Sequence, residues 1–108
     1  MTPAALAREA TARLGRLARH PPRRATRFFK PWERVYGVGL GAAEVRGLAR
    51  ALSAQVRKTW TLADAIAFAD RMLRGRTWEA RSVGLIVLSK FHRHFDARVL
   101  DPRATAWR

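Results

Sequence analysis

Residues 60–91, WTLADAIAFADRMLRGRTWEARSVGLIVLSKF, decide the fold. Thr61 and Asp64 stand three apart ahead of an apolar run, so the hydroxyl can accept the Asp64 N–H while the carboxylate reaches back to the cap residue. Leu62, Ile66, Ala69 and Leu73, flanked by Ala65 and Met72, recur at helical spacing and predict the buried side of a helix. Arg71 and Arg74 complement its C-terminal dipole, and Gly75 can take the left-handed closing conformation. Only Gly75-Arg76-Thr77 separates this helix from a second one, which starts near Trp78 and runs to about His92 or His94. So short a connection forces an antiparallel hairpin. In the second helix Ala80, Val83, Gly84, Val87, Leu88 and Phe91 make one face, and Leu85 and Ile86 add apolar surface beyond it. A helix covered this widely needs neighbours on both flanks.

Those neighbours lie upstream. Residues 42–58 place Val45, Leu48, Ala49, Leu52 and Val56 on one side of a helix. Gly47, Ala51 and Ala54 form a second face, small enough for close approach by another helix. Arg46, Arg50, Ser53 and Arg57 form a third, basic stripe that stays in solvent if the other two are packed. Thr2-Pro3 opens an N-terminal helix, a hydroxyl cap followed by a proline whose missing N–H costs nothing there. Leu6, Ala10, Leu14 and Leu17 supply its apolar face and Arg8, Arg16 and Arg19 the opposite one, before His20-Pro21-Pro22 stops it. Between these helices, residues 23–32 read as a short helix burying Phe28, Phe29 and Trp32. The three alternate glycines of Tyr36-Gly37-Val38-Gly39-Leu40-Gly41 read as a tight turn, since no lysine-serine pair follows and no strand precedes them as a phosphate loop requires. No segment alternates with period two. The expected architecture is all-α, antiparallel helical hairpins stacked as a short HEAT-like α-solenoid, in one domain over 1–108 with a loose tail at 101–108.

The 108 residues carry 22 Lys+Arg against 8 Asp+Glu, a formal charge of +14 that draws the chain toward polyanions. Arginine outweighs lysine, and with the abundant alanine this matches the codon bias of a GC-rich genome, so charge motivates a polyanionic partner without proving one. Cysteine is absent, which excludes disulfides, thiolate ligands and thiol nucleophiles. The longest apolar run, Val83 to Leu88, is too short for a membrane span, which needs about 20 residues. We expect a cytoplasmic protein; an N-terminal transit peptide is the alternative reading of the Arg- and Ala-rich opening.

Other groupings have plainer explanations. His92 and His94 point apart on a helix and have no further ligands, so no metal is expected. Asp64 serves as a cap and Asp70 can pair with Arg74, which leaves no carboxylate couple for acid–base work. Trp32, Trp60 and Trp78 sit at helix boundaries, where packing is favoured over base stacking. Glu79, beside Arg81, is expected to anchor an inter-helix ion pair or to hold a basic side chain toward phosphate.

In order along the chain, Arg27-Phe28-Phe29-Lys30, Tyr36-Gly37-Val38, Glu44-Val45-Arg46-Gly47-Leu48-Ala49-Arg50, Trp60-Thr61-Leu62 and Trp78-Glu79-Ala80-Arg81 resemble the N-terminal half of the DNA alkylation repair family, the AlkD-like HEAT-repeat DNA glycosylases. The resemblance covers roughly residues 3–100. It implies a curved helical stack whose basic concave side holds duplex DNA, and hydrolysis of the N-glycosidic bond of alkylated purines by an aspartate between tryptophans. That catalytic motif lies downstream of the matched segment. Asp96, Asp101 and Trp107 do not reproduce it, so no catalytic residue and no cofactor is carried over, and the chain looks like a truncated or diverged member. The expected function is a DNA-binding scaffold contacting phosphates through Arg46, Arg50, Arg57, Lys58 and Arg81, without glycosylase activity alone. Two alternatives stand beside it: a module that self-associates or docks a completing partner chain through an uncovered apolar repeat face, and a small basic RNA-binding protein.

Overall fold

The computed structural model describes residues 1–25 and 35–91. In chain order the elements are α1 (Pro3–Leu17), β1 (Arg23–Arg24), β2 (Tyr36–Gly37), α2 (Ala42–Val56), α3 (Leu62–Leu73) and α4 (Trp78–Ser89). Each helix starts where a local cap directs it. Thr2 Oγ1 accepts from Ala5 N at 3.1 Å, with Pro3 in the first turn. Thr61 Oγ1 accepts from Asp64 N at 3.3 Å while Asp64 Oδ2 accepts from Thr61 N at 3.0 Å. Thr77 Oγ1 accepts from Ala80 N at 3.3 Å. At the start of α2, Gly41 has no hydroxyl to offer, and Glu44 Oε2 accepts its N–H at 3.1 Å instead.

The short turn at 74–77 folds α3 and α4 into the hairpin read from the sequence. Gly84 sets how closely they meet: a Cβ built there would lie 2.7 Å from Met72 Cβ and 3.3 Å from the Ala69 backbone. Against this pair, α2 packs on α4 and α1 on α3, with α1 also touching α4 and α2. The core that results holds Leu6, Ala10 and Leu14 from α1, Val45, Leu48, Ala49, Leu52 and Val56 from α2, and Phe68, Met72, Val83 and Val87 from the hairpin. Trp60 closes one end, its ring centroid 5.6 Å from that of Phe68 and 6.4 Å from that of Phe91, and its Nε1 donates to Met1 O at 2.8 Å. Tryptophan at this boundary packs, as the sequence suggests.

Several expectations shift. The chain is mostly helical, but a two-stranded antiparallel ladder pairs Arg23 with Gly37 and Arg24 with Tyr36. Two residues per strand are too few to show as alternation, and the pairing joins positions far apart in sequence. Arg23 and Arg24 are therefore extended, not the start of a helix, and the glycine run begins as a strand edge before Gly39 turns with φ of +89°. A bridge between Tyr36 and Thr77 ties this loop to the start of α4. On α3 the buried arc is Ala65, Phe68, Ala69 and Met72, whereas Ile66 and Leu73 are 49% and 42% exposed. Helix α3 is apolar over more than half its circumference, and Phe68, which has the most area to bury, turns inward. Leu17 and Leu85 are also half exposed, so α4 is not covered at its centre on every side. Ser53 is buried rather than part of the basic stripe, and Gly47, Ala51 and Ala54 face solvent, with no helix over them among the described residues. The predicted roles of Phe28, Phe29, Trp32, His92, His94, Asp96, Asp101 and Trp107, and of the tail 101–108, fall outside the described residues.

Candidate nucleic-acid interface

Helix α2 and its C-cap residue carry three exposed arginines, Arg46, Arg50 and Arg57, and the buried opposite face holds the helix against α4. At 100° per residue they fall within a 40° arc and span about 16 Å along the axis. The other solvent edge of α2 is engaged with α1. Glu44 accepts from both Nη atoms of Arg19, which follows α1, one of these bonds being 2.9 Å. With its amide oxygen toward Arg13, Gln55 accepts from Arg13 Nη2 and donates to Glu9 Oε2, both at 3.3 Å. Since Glu44 and Gln55 lie 120–180° around the helix from the arginines, by about 100° per residue, the basic flank faces away from α1. Lys58 is exposed in the turn that follows.

The distribution of acids explains why this flank keeps its charge. Glu9 pairs with Arg13 at 3.1 Å, Glu44 with Arg19 and Asp70 with Arg74 at 2.8 Å, while Asp64 caps α3. Among the described residues no acid reaches Arg46, Arg50, Arg57 or Lys58. The Arg19 hydrogen bond, followed by the Gly41 N–H, lowers the Glu44 pKa below its ordinary value, and the same contact with Glu44 raises that of Arg19. Arg81 is different. It is exposed on α4, but its Nε donates to Gly75 O at 3.0 Å and so closes the end of α3. That makes it partly structural.

Glu79 performs neither role expected of it. It makes no ion pair with Arg81; it is fully buried, and its Oε2 accepts from Val38 N at 2.9 Å and Leu40 N at 3.2 Å. A carboxylate in the first turn of α4 thus fixes the loop that leads into α2. The Gly39 carbonyl in that loop accepts from Arg19 Nη1 at 2.7 Å, which ties the same loop to the end of α1. The orientation of the arginine-bearing helix is set by these contacts as well as by its own apolar face. The one sequence signal for a buried Glu79 is its phase, four residues before Val83 and eight before Val87, both fully buried.

Among the described residues no group of three or more His, Asp or Glu side chains could hold a metal ion, and no helix is long and apolar enough to cross a membrane. No protein-family model matches the chain, and neither a curated protein nor a solved structure matches it.

Proposed function

We propose that this chain is a polyanion-binding helical scaffold that holds duplex DNA by its phosphates, with Arg46, Arg50, Arg57 and Lys58 as the contact residues and Arg81 as an accessory one. The observation that carries the reading is the α2 flank, three exposed arginines with no described acid against them in a chain of net charge +14. Guanidinium groups spaced along one helix edge meet phosphates and do not read bases, so the binding is independent of sequence. In the proposed architecture α1–α2 and α3–α4 are two stacked helix pairs of the HEAT type, α1 over α3 and α2 over α4, the scaffold implied by the resemblance to alkylation repair glycosylases. We assign no glycosidic-bond chemistry to it, since each described acid is engaged in a pair, a cap or the buried loop.

The test is a titration of duplex DNA over a salt series. Log K falls with log salt by about 0.9 per phosphate neutralised, so replacing Arg46, Arg50 and Arg57 by Gln should flatten the slope by up to about 2.7. Absence of binding at low salt, or a slope unchanged in the triple variant, removes the proposal. Stronger retention of single-stranded RNA than of duplex DNA turns the assignment to RNA. A second reading is favoured by the open face of Gly47, Ala51 and Ala54, which a second copy or a completing partner chain would cover at close approach. Light scattering that finds a clean monomer up to high concentration counts against self-association there.

A further inference from the structure

A groove on the side of the molecule served by α1 and the α3–α4 turn is used by none of the foregoing. It is an open groove of about 580 Å³, within the range of about 300–1,000 Å³ typical of small-molecule sites. Leu14 and Ala18 of α1, Val38 of the glycine loop and Ala80 of α4 make an apolar floor, with Pro21 and Pro22 as a wall. Among the described residues that line it, none is acidic. Two of the nitrogen-bearing side chains there are hydrogen-bonded within the protein: Arg19 to Glu44 and the Gly39 carbonyl, and His20 to the Pro21 carbonyl through Nδ1 at 2.8 Å. The Arg76 guanidinium stacks 4.8 Å over the Tyr36 ring, and among the described residues no carboxylate pairs with it. A cation beside an apolar floor suits a ligand with one anionic end and one apolar end, because each half finds its complement without stranding a buried charge.

We propose that this groove is a binding site for a small anionic amphiphile, a carboxylate on a compact apolar body, with Arg76 as the anion-binding group and the Leu14, Val38 and Ala80 floor receiving the apolar part. The site is separate from the arginine flank of α2, so the two can fail independently.

Decanoate, below the concentration at which it forms micelles, is the probe, titrated calorimetrically into the whole chain at about 150 mM salt, where remote surface charge is screened. The expected result is saturation at one molecule per chain, with decanol binding at least tenfold more weakly. Arg76→Gln should weaken decanoate about tenfold. Gly15→Phe should abolish binding, since Gly15 lines the groove, is exposed, and has open space around a built Cβ. If Gly15→Phe does not fold, Thr11→Phe fills the same groove from the preceding turn of α1. The triple α2 variant should bind decanoate as the unmodified chain does. Non-saturable binding, binding that survives the groove-filling variants, or binding lost with the α2 arginines each overturns the proposal.

Discussion

Removing the Glu79 carboxylate is the most direct way to test how the loop before α2 is held. In Glu79→Ala the Val38 and Leu40 N–H groups lose their acceptor inside the protein. An orphaned buried donor costs about 1–3 kcal/mol, so two cost about 2–6 kcal/mol. Part of this is offset, because among the described residues Oε1 of Glu79 has no hydrogen-bond partner and a buried carboxylate left half satisfied carries its own desolvation cost. We expect a net loss of about 2–4 kcal/mol. Glu79→Gln keeps an acceptor oxygen and the shape of the side chain but exchanges charge-assisted bonds for neutral ones, and should fall between the two. The assay is urea unfolding at neutral pH followed by circular dichroism, with amide hydrogen exchange as the local readout. The Val38 and Leu40 amides should lose protection in Glu79→Ala before those in the middle of α2 do. A Glu79→Ala variant within about 0.5 kcal/mol of the unmodified chain, with both amides still protected, would refute the reasoning; such a change is what a surface substitution gives.

The same substitution should act with opposite sign at two helical glycines. Gly84→Ala drives a Cβ to 2.7 Å from Met72 Cβ, so overpacking of about 1–3 kcal/mol outweighs a helix-propensity gain of about 1 kcal/mol, whereas exposed Gly47→Ala keeps only the gain. Thermal melts that rank the two variants the other way disprove the close α3–α4 approach. Thr61→Ala removes the hydroxyl half of the α3 capping box and should cost about 0.5–2 kcal/mol in urea unfolding; no loss would mean that the Asp64 reach-back alone suffices. For Glu44 the folded pKa is lowered, so its contribution is full above the unfolded value of about 4.5 and is lost as pH falls through the folded one. The stability gap between the unmodified chain and Glu44→Gln should therefore be level near neutrality and close below pH 4.5, and a gap that persists in acid contradicts the Arg19 pairing.

Local chemistry was legible wherever it acted alone. The cap at Thr2 and the Thr61–Asp64 box fix helix starts through groups three residues apart, and the structure places them so; Gly75 does follow the end of α3, but not in the left-handed conformation expected of it, since among the described residues Gly39 alone has a positive φ. The apolar stripe of α2 was equally clear, because its charged and small residues leave a single arc to bury, and the exposure of Arg46, Arg50 and Arg57 follows from that arc. On α3 the same logic failed, since apolar residues surround most of the helix and only the neighbours decide which of them turn inward.

By itself, then, the sequence determined the four described helices, the α3–α4 hairpin and a basic edge on α2, all consequences of spacing within one helix or across one short turn. The tertiary structure decided that Glu79 is buried under a loop about forty residues away, that two-residue strands pair across the loop, that Phe68 and not Ile66 faces the core, and that α1 and the α3–α4 turn leave a groove with Arg76 at its rim. The physical reason is the range of the forces involved. Caps and helical periodicity act over a few bonds, but desolvating a carboxylate or choosing between two apolar arcs depends on which distant backbone arrives to accept it.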